Sequence, residues 1–531
     1  MGPGFRRDDD YWEMKQLALG VALTGRHGRR RQRAEQEGKS FMTVETIALG
    51  DVKQFDDETD VLVVGLGAAG ASAAIEARRA GAEVLALERS SAGGGSTALS
   101  GGFIYLGGGT RVQRLNGIAD SAEDMYRYLQ AMSPEADPSK IRLYADRSVE
   151  HFDWLEANAA RFDDGYYPHK HYEHSSAESL AWTGNELVWP FREQARPAPR
   201  GHKMPGKDDK HVGVGETGGG GQVMMEGLIA TAERLGARVI YDANAKQLIV
   251  DPAGRVVGLR YTRFQEDVFV RARKGVVLAT GGFGFNQAML EAYCPELASE
   301  TIVKIGSTYI EGAGHRLGVS AGGALEHMDG YFVTSPFYPP ESLLKGVLVN
   351  ILGKRFVAED SYHSRSTAAC LKQPDQKAYL ICDSAIFARS EFPHELIDAW
   401  QEVEEMEEGL GLPEGSLKQT LDAYNRHAAA GTDPEFHKYE KWLQPLVEPP
   451  FAAIDCSIGT APFMGFTLGG LRTSVKGEVL TEDGATVPGL YAAGACASNL
   501  AYDSMGYSSG ACIGESTFFG RQCGIAAAEA T

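Results

Sequence analysis

The chain has 531 residues, enough for two domains or one large domain carrying an insertion. Hydrophobic residues make up 43% of it, so a sizeable core is available, while a formal charge of -19 argues against nucleic acid or an anionic membrane surface as the main partner. No apolar run approaches the roughly 20 residues of a spanning helix, and the seven scattered cysteines form no C-x-x-C, so no metal site is expected and a reducing, cytoplasmic compartment fits.

Residues 1–41 are polar and lack periodicity. "LALGVAL" is shorter than a signal-peptide core and precedes the arginine run instead of following it. The stretch reads as a disordered extension, or as translation upstream of Met42.

The first clear element is "DVLVVG", an apolar run typical of a buried parallel strand. "GLGAAG" follows, with Gly65, Gly67 and Gly70 in G-x-G-x-x-G spacing. An alanine-rich helix ends at Gly81, and a second strand, "EVLALE", closes on Glu88. Each part has a physical job. Gly65 permits the tight turn, Gly67 lets the backbone approach a pyrophosphate, and Gly70 lets helix and strand pack closely. Ala68 and Ala69 open the helix, whose N–H groups face the phosphates, and Glu88 accepts bonds from a ribose diol beside Arg89.

"SSAGGGSTALSGGFIYLGGGT" comes next, where a nicotinamide enzyme would continue with a plain third βα unit. An extended Gly/Ser-rich segment suits a chain lying along FAD, with Ser96, Thr97, Ser100, Gly101 and Gly102 as its contacts. The histidine-rich "HKHYEHSSAE" lacks metal spacing and reads as a surface loop. Residues 238–280 read as strands of a β-meander with turns at "DPAGR" and "FQED"; Ala245 and the strand end at Thr280 and Gly281 complete this side of the cofactor site.

Helix signals dominate 333–456, in "HELIDAWQEVEEMEEGLG" and "SLKQTLDAYNRHAAAG". The acidic run reads as a solvated helix face. The strand "LYAAGACAS" then ends at Gly494, and "MGYSSGACIGES" is a turn opening the last helix, bringing Ser508, Ser509 and Ile513 to the flavin. The expected architecture is an α/β fold. A split Rossmann-like FAD-binding domain, 57–332 and 457–531, carries an inserted α+β cap (substrate) domain, 333–456. The substrate belongs between cap and flavin.

"VVGLGAAG", "STALSGG", "ATGGFG", "GKRFVAED", "TLGGL", "LYAAGAC" and "GESTFFGR" occur in order from about residue 60 to the end. In them the chain resembles the FAD-dependent succinate dehydrogenase/fumarate reductase flavoprotein superfamily. The resemblance implies FAD, held noncovalently, and an external electron acceptor. It also allows the substrate groups of the dicarboxylate reductases to be compared. Tyr507 stands at their carboxylate-binding arginine and Phe466 at their histidine. "TSPF" replaces their His-Pro-Thr, and Tyr362 or His363 replaces their catalytic arginine, with Arg365 slightly beyond. Two carboxylates need cationic forks to offset desolvation. Phe103, Tyr105, Phe337, Tyr338 and Phe466 would instead line a flat, apolar slot.

The chain is most similar to the 3-ketosteroid dehydrogenases, above all the 3-oxosteroid 4-(5α)-dehydrogenases, in "STALSGGFIYLGGGT", "SPFYPPESLLKGVLVN", "AEDSYHSR" and "GYSSG". The resemblance implies desaturation of a 3-oxo-5α-steroid at C4–C5. A proton leaves C4 and a hydride passes from C5 to flavin N5. Tyr507, helped by Ser509, would polarise the C3 carbonyl, and Tyr362 would be the base. His363 stands as the alternative to Tyr362, and which tyrosine is acid and which is base stays open. So do a Δ1-dehydrogenase, a flavin reductase of another apolar enone, and a non-catalytic flavin-binding sensor.

Overall fold

The computed structural model of the protein describes residues 44–170, 178–207, 218–335, 340–389, 394–498 and 500–531. Residues 1–41, most of "HKHYEHSSAE", and Phe337 and Tyr338 lie outside the described residues.

β1 (Asp57–Val64) buries Val61 to Val64 without alternation, as a strand covered on both faces does. α1 (Ala68–Arg79) and β2 (Val84–Leu87) complete the first βαβ-type unit. β3 (Arg238–Ile240) pairs parallel with β2. β4 (Asn244–Val250), β5 (Val256–Arg263) and β6 (Glu266–Leu278) form the expected antiparallel meander. The β5–β6 turn holds Phe264 and Gln265 at φ of 48° and 70°, the left-handed conformation of a two-residue hairpin.

Beyond β6 the chain builds a four-stranded antiparallel sheet in the order Val347–Asn350, Ala378–Asp383, Phe451–Asp455, Leu396–Trp400. α2 (His363–Leu371) and the helices Val403–Leu410 and Ser416–Ala429 accompany it. One expectation is corrected here. "HELIDAW" is not helical: Leu396–Trp400 is an edge strand on Phe451–Asp455, and the helix begins only at Val403. Edge pairing overrides the local helical preference of this stretch. Before α2, Arg355 forms a buried ion cluster with Glu359 and Asp433, at 2.8 and 2.9 Å, which anchors the segment leading to Tyr362.

β7 (Phe463–Thr467) pairs with Ile302–Lys304 on one side and Tyr331–Thr334 on the other, placing Phe332 opposite Phe466. β8 (Thr486–Ala492) then joins the main sheet beside β6. α3 (Ala511–Glu529) packs closely on α1. Glycines make this approach possible: a Cβ at Gly520 or Gly524 would lie 2.3 Å from Ala69 O or 2.2 Å from Ala73 O.

Among the described residues the main sheet has nine strands, ordered Ile47–Ala48, β4, β5, β6, β1, β2, β3, with β8 pairing β6 and Glu478–Leu480 pairing β8. Leu87, Val64, Leu278 and Ala492 are register partners in sequence across β2, β1, β6 and β8. Their carboxyl ends therefore form one edge. Gly65, Glu88, Thr280 and Gly494 all emerge there, where open α/β sheets bind ligands.

Candidate active site

The glycine turn after β1 is shaped by close approach. Gly65 has φ of +100°, and a Cβ on it would lie 2.4 Å from Ala279 O. A Cβ on Gly70 would lie 1.9 Å from Gly65 O, so turn and helix can meet only through glycine. Gly67 is different. Among the described residues a Cβ there would meet only Gly94 O, at 3.8 Å, so its side faces open space. It caps α1 with no side-chain bond, leaving the first-turn N–H groups of Ala68, Ala69 and Gly70 to an anion. This cradle fits the pyrophosphate of FAD.

Glu88 closes the turn from below. Its Oε2 accepts from Leu66 N–H at 2.8 Å and its Oε1 from Ser90 N–H at 2.9 Å. Each oxygen keeps a lone pair for a ribose hydroxyl. Arg89 pairs with Glu311 at 2.5 Å and lies over the Tyr309 ring. Ser96 Oγ accepts from Ser307 N–H, and Ser100 Oγ donates to Thr97 O at 2.7 Å while accepting from Gly102 N–H. Gly101 and Gly102 run directly over Gly220. Thr280 Oγ1 accepts from Gly314 N–H at 2.9 Å, and Gly281 and Gly494 take φ of +76° and +73°. Ala245 lies within β4, opposite Tyr261, and Ile513 lies in the first turn of α3.

On the side expected to face the substrate, aromatic side chains cluster. Phe332 and Phe466 stack with centroids 4.7 Å apart, and Tyr507 packs on Phe332 at 4.5 Å and edge-on to Phe466 at 5.8 Å. Tyr507 is 5% exposed. Burial first, then the neighbouring Cys512 and Tyr362, push its phenol well above the ordinary tyrosine value. It is therefore a hydrogen-bond donor across the physiological range, with Cys512 beside it. The Tyr362 hydroxyl donates to Ser509 Oγ. His363 Nδ1 pairs with Thr334 Oγ1 at 2.5 Å; burial, with Lys170 nearby, drops this histidine to about 3, so it carries no charge at neutral pH. Arg365 turns away, its guanidinium over the Phe191 ring.

Tyr362 and His363 also line a cleft, partly open to solvent, whose walls include Lys170, Trp182, Leu343, Leu348 and Phe463.

Three expected residues have buried side chains. Tyr105 is fully buried behind the turn, donating to Glu186 Oε1 at 3.0 Å and stacked on Tyr128, so it is not part of an open substrate wall. Ser508 turns its Oγ inward to the Tyr128 hydroxyl at 2.9 Å. Phe103 is buried in a strand pairing with Lys203, whose ammonium lies over its ring.

The FAD binding domain family matches residues 60–512. The chain belongs to this family, within the succinate dehydrogenase/fumarate reductase flavoproteins. Its fold is similar to the crystal structure of the 3-ketosteroid-delta4-(5alpha)-dehydrogenase from Rhodococcus jostii RHA1 in complex with 4-androstene-3,17-dione. The two are 42% identical with a TM-score of 0.84, over 92% of this chain and 100% of that one. It is also similar to the 3-oxo-5-alpha-steroid 4-dehydrogenase of Comamonas testosteroni, 27% identical over 84% of this chain and 94% of the relative. A probable fumarate reductase of Shewanella frigidimarina, Ifc3, is 25% identical over 89% and 75%.

This flavoprotein is an FAD-dependent oxidoreductase. Among the described residues none of its helices is long and apolar enough to cross a membrane, and no group of three metal-ligating side chains occurs. Several site residues escape a reading of motifs. Phe332 is brought in by strand pairing alone, and Cys512 by the first turn of α3. Thr183 and Asn185 lie in "TGNE", which carries no motif signal beyond its polar residues beside the apolar "SLAW".

Proposed function

We propose that the protein desaturates a 3-oxo-5α-steroid at C4–C5. The observation that carries this reading is the hydroxyl group of residues Tyr507, Tyr362 and Ser509 in an aromatic setting where a dicarboxylate enzyme needs cations. The 42% identity to an enzyme crystallised with 4-androstene-3,17-dione supports it.

The Gly65–Gly70 turn and Glu88 would hold FAD noncovalently, and the bound cofactor would supply the hydride-accepting chemistry. The protein's own groups handle the carbonyl and the proton. Tyr507, kept protonated by burial, donates to the C3 carbonyl, and the bond strengthens as enolate charge develops. This acidifies the C4 proton. Tyr362, once ionised, takes the proton and returns to the neutral phenol that donates to Ser509 Oγ. The apolar rings of Phe332 and Phe466 exclude water from the carbonyl, which strengthens the Tyr507 bond.

The test is anaerobic mixing of the yellow protein with a panel of saturated 3-oxosteroids. Bleaching by 5α-steroids supports the reading. No bleaching by any steroid, or bleaching by a non-steroid saturated ketone alone, refutes it.

A further inference from the structure

Tyr362 and Ser509 come from distant segments, and the backbone N–H of each is bonded from outside its own element. Tyr362 opens α2 without a side-chain cap, and Ser509 lies in the turn before α3. Both turns are gripped by a third segment, Thr183–Glu186. Asn185, 0% exposed, accepts the Tyr362 N–H on Oδ1 at 2.7 Å. Thr183 holds Ser509 twice: its carbonyl accepts Ser509 N–H at 2.7 Å, and its hydroxyl donates to Ser509 O at 3.1 Å.

The segment is itself pinned from behind. Asn185 N–H donates to the Tyr128 hydroxyl at 2.8 Å, and that hydroxyl meets Ser508 Oγ at 2.9 Å. Gly184 N–H donates to Glu186 Oε2 at 3.1 Å. A Cβ on Gly184 would lie 2.3 Å from Ser508 Oγ and 2.5 Å from the Tyr128 hydroxyl, so only glycine permits the contact. One buried tetrapeptide thus fixes two backbones whose side chains must meet.

We propose that residues 183–186 are a strap that sets the Tyr362–Ser509 hydrogen bond, with Asn185 the positioning residue for Tyr362 and Thr183 for Ser509. The proposal rests on the reading of Tyr362 as the proton acceptor. Asn185 acts through the backbone of Tyr362. Its loss lets the phenol swing from Ser509 without removing a reacting group. Displacement of a catalytic group by about 1 Å typically costs about 10²-fold in rate.

Asn185→Leu keeps the approximate volume and deletes the acceptor; Thr183→Val keeps the shape and deletes the hydroxyl. In Asn185→Leu, flavin bleaching by a 3-oxo-5α-steroid falls about 10²-fold, while FAD content and steroid affinity stay near wild type. Asn185→Asp, which retains an Oδ acceptor, recovers most of the rate. In a Tyr362→Phe background Asn185→Leu adds no further loss, because the strap acts through that phenol. Wild-type bleaching in Asn185→Leu, or a full further loss in the Tyr362→Phe background, overturns the proposal. If Asn185→Leu does not retain FAD, Thr183→Val decides the same question by the same rate. A crystal structure of the Asn185→Leu or Thr183→Val holoenzyme gives a readout independent of any steroid. Tyr362 out of reach of Ser509 Oγ supports the strap, and an unchanged bond overturns it. Failure of the wild-type enzyme to bleach with any steroid refutes the proposed substrate instead.

Discussion

The Tyr362 hydroxyl donates a hydrogen bond to Ser509 Oγ, joining residues 147 positions apart. If Tyr362 takes the C4 proton, Tyr362→Phe loses the ionisable group and keeps the ring. Removal of a general base costs about 10²–10⁴-fold. Stopped-flow bleaching should fall by that factor with FAD content unchanged. A near wild-type rate would move the base to another residue, with His363 the nearest alternative.

Tyr507→Phe tests the donor. Loss of one donor to a developing oxyanion costs about 10²–10³-fold in kcat, about 2.7–4 kcal/mol. Thermal stability should change little, because the ring still packs on Phe332 and Phe466. Steroid affinity should weaken less than kcat, since the ground-state carbonyl is a poorer acceptor than the enolate. Equal losses in both would show uniform binding and no special role in the transition state.

Fumarate reduction with a reduced dye should be negligible. Phe466 stands in an aromatic stack, Tyr507 is neutral, and His363 at about 3 is uncharged at neutral pH. Among the described residues Lys170 is the cation that shares the cleft with Tyr362 and His363, and one ammonium does not offset the desolvation of two carboxylates. Robust fumarate turnover would overturn the assignment of these residues to the substrate side.

The nucleotide end was legible because it is local. Strand, glycine turn, helix and Glu88 lie within about thirty consecutive residues, Gly65 and Gly70 answer close contacts, and Gly67 faces open space. The substrate side was legible only in part. Tyr507, Tyr362 and Phe466 could be placed by motif, but their partners come from strand pairing and from a segment with no periodic signal. Tyr105 shows the limit most clearly: an aromatic beside a cofactor loop looks like a wall, yet its alternation in a three-residue strand turns it to Glu186. The edge strand Leu396–Trp400 was misread for a related reason, since its partner lies some fifty residues downstream.

Glu515 makes the stability pH-dependent. It lies in the second turn of α3, 4% exposed, with Oε2 accepting from Leu500 N–H at 2.5 Å and Oε1 unpartnered among the described residues. Burial pushes its carboxyl up to about 8, opposed only in part by backbone bonds and Lys140. An unfolded glutamate titrates near about 4.3. Below that value both states hold the proton and its contribution is complete. As pH rises from there to about 8 the unfolded state releases its proton first, so stability falls, and above 8 the slope ends. Thermal scans should show Tm dropping between about pH 5 and 8 more steeply in the wild type than in Glu515→Gln. Equal slopes would place the carboxyl in a more solvated setting than this.

The position of the new double bond tests the central claim most directly. The protein is incubated with a saturated 3-oxo-5α-steroid and an artificial electron acceptor, and the product is read by proton NMR. The account predicts the 4-ene, with its single vinylic proton at C4, formed before any other unsaturation. A 1-ene as first product, or no steroid product beside an active flavin, would contradict it.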